Sequence, residues 1–299
     1  MSGSDFEKKA IQSLQKYTFW GFLNQNKYQE AYDFYKKAAI NYILEKDWYK
    51  AYRAYREAGD ICLEYLKIRY EALNMYSEMS KCLEKVDETG AIEVIKKKMI
   101  ELYVEEGRYE EAGKYEKELG EKYEKMEEYQ NAIDEYQLAI EYFKLNKKKS
   151  TFPLYMESLL KIGLLNARLY KYSNSIYIFE KILKIYHKDK NQYTKNDIKE
   201  CYFRILLCML AQGDIHFIKQ KMEEIEQWNI DTKYQIEFTL IHDLISAIER
   251  NDAIEFAQIC TDYDKVHPFQ EWTTYVLLNI KLNIKDERIN YHSDEVDLI

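Results

Sequence analysis

The side chains that could carry covalent or metal chemistry are few and scattered. The five histidines, His187, His216, His242, His267 and His292, form no HExxH pair and none stands at metal-ligand spacing from a cysteine. The five cysteines, Cys62, Cys82, Cys201, Cys208 and Cys260, are odd in number and include no CxxC pair. That pattern fits reduced, buried thiols in a cytosolic protein better than a disulfide frame or a zinc site. No GxxxxGK[ST] loop is present to cradle a phosphate, no GxGxxG follows a strand, and no GxSxG turn presents a nucleophile. Catalytic residues, metals and cofactors are therefore not expected. What remains is binding through charge. Basic residues placed once per repeat would form a stripe, and Arg108, Lys114 and Lys161 are its candidates, against the plainer alternative of ordinary solvated side chains.

The elements that position these cations are predicted to be helices. The 299 residues include two prolines, Pro153 and Pro268, and nine glycines, too few turn formers for an all-β fold. Charged residues make up 32% of the chain, the balance of a soluble, helical protein. The 29 tyrosines read either as packing residues with a wet tip or as codon drift. A net charge of −8 argues against a nucleic-acid partner. No apolar run reaches the ~20 residues of a membrane span, and the first residues, MSGSDFEKKA, lack the apolar core of a signal peptide.

A repeat is visible in KYQEAYDFYKKAA, DWYKAYRAYREAG, RYEEAGKYEKELG and EYQNAIDEYQLAI. In each, an aromatic residue is followed three positions later by a small one. The small residues Ala31, Ala51, Ala72, Ala91, Ala112 and Ala132 are spaced by 20, 21, 19, 21 and 20. One period fits a helix and a short turn, so two make a helical hairpin of about 40 residues. Small side chains allow close helix approach, and Ser175 takes the same place further on. Gly59, Gly90 and Gly107 are expected at helix ends, with Asp47 and Asp87 as N-caps.

The fold class expected is all-α: a tetratricopeptide-like right-handed superhelix of antiparallel helix pairs, closed by a C-terminal helical bundle. Residues 1–26 hold an N-terminal helix and a hydrophobic segment, residues 27–190 the repeats, residues 191–285 the bundle and residues 286–299 an acidic tail. The hydrophobic segment, TFWGFL, places Phe19, Trp20, Phe22 and Leu23 at i, i+1, i+3 and i+4, which suits either a buried helical face or insertion into a bilayer.

This order of segments resembles the soluble NSF attachment proteins, or SNAPs, of the alpha/beta type. FQEWTTYVLLNIKLNI (269–284) is similar to that family's last helix, and DEVDLI to its acidic ending with a penultimate leucine. YVEEGRYEEAGKY and EYQNAIDEYQLAIEYF are similar to its middle repeats. The resemblance implies a non-enzymatic adaptor that binds assembled SNARE complexes, recruits the hexameric AAA+ ATPase NSF and stimulates SNARE disassembly in vesicle transport and membrane fusion. The alternative is a generic tetratricopeptide scaffold or co-chaperone that grips a peptide. The family's SNARE-facing basic positions fall on Arg108, Lys114, Lys161, Lys199 and Arg204, with Glu157 standing where the family has another cation. Asp294, Glu295, Asp297 and Leu298 match the tail that engages NSF. The SNAP family carries an exposed loop that touches the bilayer between the first helix and the repeats, and the resemblance makes Phe19, Trp20, Phe22 and Leu23 the expected membrane contact. The implied protein is a monomer when free, cytoplasmic and peripherally associated with membranes.

Overall fold

The 20-residue period arises from a helix of fixed length and a turn of fixed geometry. A computed structural model describes residues 1–16, 21–86, 89–146, 148–188, 193–228 and 236–284. Among these residues there is no strand, and six consecutive helices have 17 residues each: α4 (Arg69–Lys85), α5 (Thr89–Glu105), α6 (Tyr109–Lys125), α7 (Tyr129–Leu145), α8 (Phe152–Arg168) and α9 (Tyr172–Lys188). At 1.5 Å per residue each is about 25 Å long. Before them come α1 (Gly3–Gln15), α2 (Gly21–Leu44) and α3 (Trp48–Ile61). After them come α10 (Lys195–Gln212), α11 (Ile215–Trp228), α12 (Ile236–Glu249), α13 (Ala253–Val266) and α14 (Glu271–Leu282).

Turns of three residues separate α2 from α3, α5 from α6, α6 from α7, α8 from α9 and α12 from α13. In each, the second residue past the helix is left-handed: Lys46, Gly107, Glu127, Tyr170 or Asn251. The N–H of the next residue then donates to the carbonyl five positions back, as from Arg108 to Tyr103 at 2.8 Å and from Asp47 to Tyr42 at 2.9 Å. This is the Schellman closure, which satisfies the last carbonyls and turns the chain back along the helix it has left. Seventeen helical residues and three turn residues make the period.

The small residues sit where this geometry needs them. Ala51, Ala72, Ala112, Ala132 and Ser175 are each the fourth residue of their helix, and all are fully buried. The Ser175 hydroxyl donates to the Gly163 carbonyl at 2.8 Å, so α8 and α9 approach almost backbone to backbone. Ala91 differs: it is the third residue of α5 and only half-buried. Of the glycines expected at helix ends, Gly107 is one, with a φ of +69°. Gly59 instead lies inside α3, where an added Cβ would stand 2.6 Å from the Tyr76 ring of α4, and Gly90 is the second residue of α5. Asp47 caps α3, its carboxylate accepting from the Lys50 N–H at 3.0 Å. Asp87 lies outside the described residues.

The chain divides into two compact units, residues 1–119 with 145–147, and residues 120–144 with 148–299. The first unit is built on alanine and tyrosine. Tyr32, Tyr42 and Tyr76 bury their rings and donate their hydroxyls to Glu71, Glu7 and Asp60 at 2.7, 2.5 and 2.6 Å. In the second unit the stretch of α10 from Phe203 to Leu210 is surrounded on all sides, with each of its residues and Cys201 buried. Thr194 and Asp197 form a capping box at its start. All five cysteines are free thiols and four are buried, and burial pushes Cys201 and Cys208 up to about 12, so both stay protonated at neutral pH.

Candidate partner-binding surfaces

In the first unit two of the expected cations stand at the start of α6. Arg108 follows the left-handed Gly107, the place where Asp47 and Asp252 cap the next helix in their own turns. An arginine cannot accept a backbone N–H, and its guanidinium turns outward instead. It donates from Nε and Nη2 to Glu111 at 3.0 and 2.6 Å and lies over the Tyr103 ring. Lys114 is exposed and pairs with Glu110 at 2.7 Å, one helical turn back. Exposed pairs of this kind are worth about 0–1 kcal/mol. A partner's carboxylate can therefore exchange for either glutamate at little cost.

In the second unit Lys161 and Lys199 border different cavities. Lys161 on α8 pairs with Glu124 at 2.7 Å and lines a cavity of about 710 Å³ that also holds Glu121, Glu127, Glu157 and Arg168. Glu157 thus stands one turn from Lys161 in the same cavity, whose lining holds five carboxylates and three cations. Lys199 on α10 lines a cavity of about 510 Å³ with Phe203, Tyr263, Phe269 and Trp272, and it has no carboxylate partner among the described residues. Tyr263 and Phe269 stack with centroids 4.9 Å apart, which makes one wall apolar. Gln270 and Trp272, at the start of α14, border both cavities.

Arg204 is not a surface cation. Its side chain is 7% exposed and ion-paired with Glu200 one turn back on α10. Burial within α10 places the arginine stem in the core and leaves Nε without a hydrogen-bond partner, so it cannot contribute to an exposed stripe. Sequence reasoning passed over Arg168 of α8. Its guanidinium lies against the rings of Tyr129 on α7 and Tyr275 on α14, and Nη1 is 3.8 Å from Glu271. It fastens α14 to the repeat helices, and only an arginine beside an apolar helix end signalled it.

The aromatic segment falls partly outside the described residues. Phe19 and Trp20 lie there, while Phe22 and Leu23 belong to the first turn of α2, which starts at Gly21 rather than near Lys27. Asp294, Glu295, Asp297 and Leu298 also lie outside the described residues.

Residues 1–285 match the family model for the soluble NSF attachment protein, SNAP. The chain belongs to the SNAP family. It is similar to an alpha-soluble NSF attachment protein of Vitis vinifera, 26% identical over 287 residues and covering 96% of each chain. A mouse alpha-soluble NSF attachment protein is 24% identical over 94% of this chain and 92% of its own. A probable vesicular-fusion protein sec17 homolog of Schizosaccharomyces pombe is 27% identical over 87% of this chain and 88% of its own.

In this SNAP-family chain α14 follows Gln270, and Gln270 and Trp272 stand where the two cavities meet it. Its Thr273 is buried, and its Trp272 lies tilted against the fully buried Phe179. No described helix of this SNAP-family chain is long and apolar enough to cross a membrane. Among the described residues no group of His, Cys, Asp and Glu could hold a metal ion.

Proposed function

We propose that this chain is an adaptor in SNARE-complex disassembly. It binds the assembled four-helix bundle, recruits the hexameric ATPase NSF and stimulates it, with no catalysis of its own. The observation that carries this reading is the family match over residues 1–285, joined by relatives named as attachment and vesicular-fusion proteins along nearly their whole length. The contacts proposed for the acidic bundle are Arg108, Lys114, Lys161 and Lys199. Three of them hold only partly exposed intrahelical or interhelical pairs and Lys199 holds none among the described residues, so each can turn to a partner carboxylate. Complementary charge of this kind favours encounter and register more than raw affinity. Asp294, Glu295, Asp297 and Leu298 serve as the NSF contact, charge giving orientation and the leucine an apolar anchor. Phe19, Trp20, Phe22 and Leu23 give a weak, reversible bilayer contact, and the free protein is a cytoplasmic monomer peripheral to membranes.

A pull-down of NSF with and without an assembled SNARE complex tests the reading directly. NSF is captured only when the complex is present; capture independent of the complex, or none at all, rejects the adaptor role. Lys114→Glu with Lys161→Glu weakens SNARE binding, most visibly at low salt. Leu298→Ala lowers ATPase stimulation and spares SNARE binding.

A further inference from the structure

Among the described residues three helix pairs meet in the same register. In α3 and α4, α6 and α7, and α8 and α9, the twelfth residue of the first helix is a glycine. An aromatic ring at the eighth residue of the second helix sits against it: Tyr76 on Gly59, Tyr136 on Gly120 and Phe179 on Gly163. The helix after each pair, α5, α8 or α10, has a cation as its tenth residue: Lys98, Lys161 or Arg204. Arg204 is buried in the second unit. The other two cations have the same surroundings. Tyr136 donates its hydroxyl to Glu124 at 2.9 Å, and Lys161 reaches that carboxylate at 2.7 Å. Tyr76 donates to Asp60 at 2.6 Å, and Lys98 reaches the same oxygen at 2.9 Å with its ammonium 4.4 Å from the centre of the Tyr76 ring. The two lysine side chains are 37% and 35% exposed, Lys98 first. Tyr32 and Glu71 make a related set with Lys36, but that lysine comes from the tyrosine's own helix, so no third helix presents it.

We propose that Lys98 is a further contact for the acidic SNARE bundle, the counterpart in the first unit of Lys161 in the second; this rests on the adaptor reading above. The chemistry of the set suits an exchange of partners. A carboxylate held by two donors can lose one of them. Burial first, and the hydrogen bond to Asp60 second, raise the Tyr76 hydroxyl far above its ordinary value, so it stays a donor and keeps Asp60 satisfied when the lysine leaves. The ammonium gives up a partly exposed pair, worth about 0–1 kcal/mol. Its four-carbon stem lets it swing to a partner carboxylate without moving the backbone of α5. Neither the composition nor the helix pattern singles out Lys98 within the run Lys96, Lys97, Lys98. Its neighbours differ from it in the structure: Lys96 is mostly buried beside Glu118, and Lys97 pairs with Glu93 on its own helix.

Binding of the full chain to an assembled SNARE complex, measured across a salt series, tests it. Lys98→Gln is expected to weaken binding by roughly two- to fivefold at low salt, with the loss shrinking as salt rises. Lys98→Arg should keep binding. Asp60→Asn removes the counter-charge while its side-chain oxygen still accepts from Tyr76. It should tighten binding in the parent chain and not in the Lys98→Gln chain, a coupling that a purely structural ion pair does not produce. Each variant is melted beside the parent. Unchanged binding of the Lys98→Gln chain overturns the proposal, and so does tightening by Asp60→Asn that persists without Lys98. A loss that follows a fall in melting temperature and is not rescued by Lys98→Arg overturns it as well. Where Lys114→Glu weakens binding and Lys98→Gln does not, this inference fails alone. Where the parent chain does not bind the complex, the adaptor reading fails and takes this inference with it.

Discussion

The two packing units reach close packing by different means. In the first, alanines and glycines bring helices together and tyrosines fill the grooves, their hydroxyls reaching Glu71, Glu7 and Asp60. In the second, α10 runs through the interior and buries leucine, isoleucine, cysteine and methionine around its whole circumference. A tyrosine ring needs a polar exit for its hydroxyl, so the first arrangement keeps every helix near solvent. A helix apolar on all sides has no such need and becomes the centre of a bundle. The difference is one of geometry before it is one of hydrophobicity.

Five substitutions test that contrast, all read by urea unfolding of the full chain. Leu206→Ala, at the fully buried centre of α10, is expected to cost most, about 3 kcal/mol, because the surrounding helices cannot collapse into the gap. A cost under ~1 kcal/mol would mean that α10 is not the centre of the second core. Gly163→Ala comes next at about 2 kcal/mol, since the new methyl would meet the Phe179 ring at 2.5 Å. Gly59→Ala should cost the same against Tyr76, and unequal costs would show that close approach is a device of one unit only. Tyr76→Phe keeps the ring and removes its hydrogen bond to Asp60, a loss of about 1 kcal/mol. No measurable loss there would leave the tyrosines as simple fillers. Asp47→Ala removes a cap and one exposed ion pair for about 0.5–1 kcal/mol, seen as a small fall in midpoint with unchanged slope.

The repeat was legible because its physical cause is local. Helix length and turn geometry are both set by neighbouring residues, so alanine spacing exposes them directly. One departure also shows in the spacing: the intervals of 19 and 21 on either side of Ala91 are unequal because α5 starts two residues before it, not three, whereas Ala31, the eleventh residue of the longer α2, leaves no such mark. The four-position rule places Ile92 in that slot. Gly59 was misread because a glycine that ends a helix and one that seats a ring look alike until the neighbouring helix is known. Arg204 looked like a surface cation, yet its flanks, Phe203 and Ile205 to Leu210, already describe a helix with no outside, and Glu200 one turn away supplies its counter-charge. The pairing of Lys161 with Glu124, 37 residues distant in sequence, could not be read from spacing at all.

The turns carry one more consequence. Four of the five left-handed turn positions are held by side-chain-bearing residues, Lys46, Glu127, Tyr170 and Asn251, and only Gly107 by glycine. A left-handed L-residue costs roughly 1–2 kcal/mol, although such residues also restrict the unfolded chain. The array therefore holds unused stability in its turns. Glycine at Lys46 or Tyr170, neither of which lines the two cavities, offers a background in which damaging changes to the contact cations can be studied in a chain that still folds.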